Sequence, residues 1–233
     1  LTAVTAWFAE NLAQTADQVP RDEAGTFNAS LNEIFAGSTD IYQGAEDLFP
    51  FLEFEDRAPK RMFFSRVMSA MNFTGVYFAF TGESNINVDA PACLIPSTIA
   101  HELSHQRGIA SEQECNFLAI LASTTSGNPA YVYSGYLMGF IHLGNASTGW
   151  TRRLTGPSGI SWPETVEADL AYNNATGTSS GIRWCSRRPT ASMTACSRPT
   201  ATKTELPRME RGGFAGGLLR YITIPPGACV RRA

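Results

Sequence analysis

Residues 92–146 read as three helical stretches in close succession, and a chain built this way must be organised largely by helix packing. The first, "ACLIPSTIAHELSHQRG" (92–108), has Pro96 in its first turn and Gly108 at its C-terminal end. The second, residues 111–123, opens on Ser111 with Glu114 three positions on, the pattern of a capping box. The third, "PAYVYSGYLMGFIHLGNA" (129–146), carries apolar residues at helical spacing.

The first of these helices contains "HELSH" (101–105), which fits H-E-x-x-H. Residues four apart share a helix face, so His101 and His105 can present nitrogens to one metal ion. Glu102 lies one step round the helix, beside the position a metal with three protein ligands leaves open for water. There it can act as general base. Zn2+ suits such a donor set. The apolar approach "LIPSTIA" points to a helix packed on a core, as a rigid ligand platform should be. After the turn at Gly108, "SEQECN" offers Glu112 and Glu114, either of which can return to the metal. If Glu112 is the ligand, Asn116 lies one turn later on the same face and can hydrogen-bond a ligand. The bland alternatives are a solvated helix face and acidic residues drawn to a helix N-terminus.

Upstream, helices are expected over 2–18, stopped by Pro20, over 39–49 with Thr39 or Asp40 as cap, and over 58–73. "GVYFAFTGESNINVD" (75–89) is rich in aromatic and β-branched residues and reads as one or two strands with a turn near Gly82. The fold class is therefore α+β, mostly helical, with a small sheet beside the motif helix. A net charge of −3 over 233 residues leaves no nucleic-acid footprint. No apolar run reaches bilayer-spanning length. The start at Leu1 carries no signal-peptide pattern, so the chain reads as a fragment of something longer. Cys93, Cys115, Cys185, Cys196 and Cys229 show no CxxC spacing, which argues against a cysteine zinc site or a disulfide framework.

"FTGESNINVD", "HELSHQRGIASEQECNFLAILA" and "YSGYLMGFIHLGNA" together resemble domain-of-unknown-function family 3810. The resemblance is to a bacterial family of predicted membrane-anchored, zincin-like metallopeptidases. The resemblance runs over about residues 1–146 and again at 165–174, closest around the motif. It implies a zincin-like fold, peptide or protein substrates, and anchoring through N-terminal membrane helices that this chain does not include. "EQECN" is also similar to the E-x-x-A-D motif of gluzincin peptidases, with Cys115 in place of Ala and Asn116 in place of Asp. That similarity implies Glu112 rather than Glu114 as third ligand. In zincin-like enzymes an edge strand before the motif helix often takes extended substrate by strand addition. "ESNINVD" is the candidate here, making Glu83, Asn85 and Asn87 possible cleft residues. Tyr133 and Tyr136 can offer a phenol to a developing oxyanion, against a packing role in the helix. His142, after an apolar run, reads as a satisfied core histidine.

After Ala146 the texture changes. Residues 147–164 and 175–233 are dense in Thr, Ser, Arg, Gly and Pro, whereas "TVEADLAYNN" (165–174) again looks helical. Read from the third base of each codon, Trp150-Thr151 and Met193-Thr194 both force Asp, Trp162-Pro163 forces Ala and Trp184-Cys185 forces Val. Free synonymous choice turns 147–164 into a charged amphipathic helix. The expectation is that both segments are frameshift products flanking an in-frame island. The organisation expected is a helical region over 1–74, a catalytic core over 75–146, and an aberrant region over 147–233. The function expected is zinc-dependent peptide hydrolysis. The competing classes are a membrane-tethered domain with a structural or vestigial zinc site, and a helical interaction module without metal.

Overall fold

The computed structural model describes residues 2–146 and 163–179. Among these are α1 (Thr2–Thr15), α2 (Leu31–Ala36), α3 (Gln43–Leu48), α4 (Ser65–Ala70), α5 (Ile95–Gln106), α6 (Glu112–Thr125), α7 (Pro129–Ala146) and α8 (Glu164–Ser179), with a small sheet packed on α5. The sheet consists of β1 (Lys60–Arg61), β2 (Gly75–Phe78) and β3 (Glu83–Ile86) in the order β1-β3-β2. β1 runs parallel to β3, and β2 runs antiparallel to it with Gly75 opposite Ile86 and Phe78 opposite Glu83. The architecture is α+β and mostly helical.

The core lies where α5, α6 and α7 pack on one another and α1 packs on α7. Phe8 and Leu12 of α1, Ile99 and Leu103 of α5, Ile120 of α6 and Leu137 of α7 are fully buried there. Each such side chain contributes about 1.5–3 kcal/mol by leaving water.

α5 is braced along its length. Ser84 Oγ donates to the Glu102 carbonyl, and Gln106 Nε2 donates to both Ser84 Oγ and the Arg57 carbonyl. The buried Tyr42 phenol donates to the Ala100 carbonyl and lies 2.5 Å from Ser104 Oγ. At the helix C-terminus Arg107 stacks over the Tyr42 ring and pairs with Asp56 and Glu46. A cation at that end favours the helix dipole. The chain then turns at Gly108, whose φ of 80° suits glycine and strains other residues.

Several expected boundaries change. The helix expected over 58–73 shortens to α4, because Lys60 and Arg61 pair with β3 instead. The stretch 39–49 divides into a 3-10 turn at Ser38–Asp40 and α3, whose cap is Tyr42 rather than Thr39 or Asp40. α2 was not expected: Leu31, Ile34 and Phe35 stand at helical spacing and pack on the core, but its six residues are fewer than two turns. Ser111 is the cap of α6, but its side chain makes no capping bond, so the Ser111–Glu114 box is not formed. α7 spans the expected residues, and α8 runs beyond the expected 165–174. Of the segments read as frameshifted, 147–164 and 175–233, residues 147–162 and 180–233 lie outside the described residues, with Cys185, Cys196 and Cys229 among them, whereas α8 takes in Glu164 and 175–179. Cys93 and Cys115 are buried free thiols.

Candidate metal centre

α5 and α6 meet across the Gly108 turn and bring His101, His105 and Glu112 together. One donor atom from each lies within 4.8 Å of the others. His101 Nε2 is 3.2 Å from Glu112 Oε2, and His105 Nε2 is 3.6 Å from Glu112 Oε1. The two imidazoles stand edge to face with centroids 5.0 Å apart.

The far side of each ring decides which nitrogen is offered. His105 Nδ1 lies 2.8 Å from the Ile109 carbonyl, which can only accept, so the proton sits on Nδ1 and the Nε2 lone pair faces Glu112. Asn116 Oδ1 does the same for His101 Nδ1 at 2.8 Å. Asn116 thus orients the His101 ring. As a neutral amide it orients the ring without the added basicity a carboxylate would lend. Burial, and then the neighbouring His105, hold the His101 pKa below the ordinary imidazole range, which keeps the ring neutral as a ligand must be. Two imidazole nitrogens and a carboxylate, with tautomers fixed from behind, can hold a divalent metal ion. Glu114 is not part of the cluster.

Glu102 lies beside it, 4% exposed, and its Oε2 has no hydrogen-bond partner. The backbone N–H of Tyr77 donates to its carboxylate. Burial first, and then the charge of Glu112, push its pKa up to about 8. An unpartnered carboxylate oxygen in such a place is costly to the fold. In the metal-free protein the folded chain therefore holds a proton between about pH 4.5 and about 8 that the unfolded chain has lost. Stability falls as pH rises through that window, because the native state binds more protons than the unfolded one. Glu102→Gln should flatten that fall, as read by urea unfolding of metal-free protein at several pH values. Parallel profiles for the two proteins would refute the assignment.

The cluster opens into a cleft of about 580 Å³. Its walls come from the end of α4, from β2, α5 and α6, and from Met138, Ile141 and His142 of α7 with Asn173 and Thr176 of α8. Residues 1–177 match the family described as Protein of unknown function (DUF3810). The chain belongs to the DUF3810 family. The match takes in every residue that lines the cleft. No curated protein and no solved structure matches the chain. Among the described residues of this DUF3810 chain, no helix is long and apolar enough to cross a membrane.

The remaining expected residues are placed unevenly. β3 is the middle strand of the sheet and cannot accept an added strand, which corrects the expectation for "ESNINVD". Glu83 pairs with Lys60 at the surface, and Asn85 bonds the Glu83 carbonyl. Neither lines the cleft. Asn87 does, but as a brace, donating to Ser69 Oγ and the Phe73 carbonyl. β2 is the strand at the cleft. Thr74, just before it, and its Val76 and Phe78 positions face β3 in the ladder, so Gly75 and Tyr77 turn their backbone groups the other way.

Tyr133 and Tyr136 are not brought to the cluster. The Tyr133 ring stacks on Phe27 and its phenol donates to Asp169, and Tyr136 packs edge-on against Trp7 and Phe8. His142 was read as a core histidine, yet it lines the cleft, with its pKa driven down to about 4 by burial and then by His101. Its apolar sequence neighbours hid this. Tyr77, which stacks on His105 and bonds Glu102, was also missed, because the contact joins a strand to a distant helix.

Proposed function

We propose that this chain is a zincin-like peptidase domain that hydrolyses peptide bonds with zinc held by His101, His105 and Glu112. The observation that carries the reading is Glu102. It is a buried carboxylate with an unpartnered oxygen beside a two-histidine, one-glutamate donor set. A purely structural metal site needs no base beside it, whereas a hydrolytic one does. Zinc supplies Lewis acidity there, polarising a carbonyl and bringing the pKa of a water to about 7.

The protein groups do the rest. Glu102 takes the proton of the attacking water and passes it to the leaving nitrogen. The Tyr77 N–H fixes one carboxylate oxygen and leaves the other for that transfer. The backbone of Gly75 and the carbonyl of Tyr77 offer a strand edge along which an extended peptide can lie. His142, which lines the cleft from α7, would contact a bound substrate from another side.

The direct test is metal content. The purified full chain should carry about one zinc per molecule, and His101→Ala should carry almost none. Absence of stoichiometric metal, or equal loading of the variant, would reject the reading. Gly75 gives an independent check. A Cβ there would press into the Glu102 carboxyl group. Gly75→Ala should keep the metal and slow cleavage by about a hundredfold through displacement of the base. Unchanged cleavage would mean that Glu102 is not positioned by this strand.

A further inference from the structure

Residues 57–82 contain four cations, Arg57, Lys60, Arg61 and Arg66, and no acid, in a chain whose net charge is −3. The same segment exposes large apolar side chains to an unusual degree. Phe63 is 90% exposed and Phe80 94%, and Phe64, Val67, Met71, Phe73 and Phe78 are exposed as well. On α4 the inward positions are Ser65 and Met68, so Phe64, Val67 and Met71 form its outer face, where a helix of a water-soluble protein ordinarily carries polar residues. The part of the segment between these groups, Ser69 and Asn72 to Tyr77, lines the cleft. Exposed aromatic residues therefore flank the cleft-lining stretch on both sides in the chain.

Lys60 is paired with Glu83, so Arg61 and Arg66 carry the charge of residues 60–80. From this coincidence of exposed aromatics and positive charge we infer that residues 60–80 dock on an anionic lipid bilayer. Phe63, Phe64 and Phe80 enter the interface, and the cations face the lipid phosphates. Aromatic rings favour the headgroup level of a bilayer, and basic side chains are drawn to its anionic surface. A second copy of this chain fits the surface worse, since a two-fold contact would set cations against cations. The inference does not depend on the cleft being catalytic. If it is, its substrates are met at the membrane face.

The test is co-sedimentation of the full chain with vesicles of phosphatidylcholine alone and of phosphatidylcholine mixed with phosphatidylglycerol. Binding to the mixed vesicles is expected, reduced by salt and weaker on phosphatidylcholine alone. Combined Phe63→Ser, Phe64→Ser and Phe80→Ser should weaken it by roughly tenfold or more, with thermal unfolding unchanged. Arg66→Glu, a milder change, should weaken it on the mixed vesicles alone. Failure to sediment with either vesicle overturns the inference. So does wild-type binding by the triple phenylalanine variant, which would assign attachment to the arginine-rich residues after 180. A dimer that the triple variant abolishes would assign the face to a second copy and overturn it too.

Discussion

The Glu102→Gln variant is expected to bind one metal ion per chain and to cleave peptides about a hundredfold to ten-thousandfold more slowly than the parent protein. The substitution keeps the size of the side chain and can still accept from the Tyr77 N–H, but it cannot take up a proton. The three donor atoms that bring His101, His105 and Glu112 together do not involve it. Metal content and rate must therefore separate. Loading is measured on the purified variant, and cleavage on an unstructured peptide mixture under the same conditions. Removing the buried, unpartnered carboxylate should also leave the metal-free variant more stable than the parent at pH 8, so poor folding does not explain a lost rate. If hydrolysis persists at the parent rate, Glu102 is not the base. If metal is lost together with the rate, the two roles are not separable in the way the geometry requires.

What was legible in the sequence was local. His101, Glu102 and His105 share one helix face by spacing alone. Gly108 and Glu112 follow closely enough that a single turn determines their return, and Asn116 follows Glu112 by one helical turn. All of these interactions span at most fifteen positions in the chain. What was not legible depended on distant pairing. Lys60 and Arg61 sit in a stretch with a helical pattern, and only the exposed edge of β3 converts them to strand. That pairing moves β3 to the centre of the sheet and hands the cleft to β2. Tyr133 carries an amphipathic signal that says it packs, but not that its phenol meets a carboxylate 36 positions later. Arg107, after the motif helix, carries no local sign of a partner. Its pairing with Asp56, across 51 positions, is a tertiary fact.

Asp169→Ala should cost about 3–5 kcal/mol of stability, the range for removing one partner of a buried ion pair. The residue is 1% exposed and lies on α8, in the short helical island between two compositionally odd segments. Its Oδ1 accepts from the Phe27 backbone N–H at 2.8 Å. Its Oδ2 accepts from Arg21 and from the Tyr133 phenol, each at 2.5 Å. One carboxylate thus ties α8 to the loop after α1 and to α7, and Arg21 closes the group by lying 4.6 Å over the Tyr133 ring. Alanine strands a guanidinium, a phenol and an amide together, which is why the expected loss exceeds that of one hydrogen bond. The midpoint of thermal unfolding should fall by roughly 10 °C. Asn173 and Thr176, one and two turns further along α8, line the cleft, so loosening this helix should also open one of its walls. A loss below about 1 kcal/mol, the worth of one ordinary hydrogen bond, would mean that α8 is not anchored through this carboxylate.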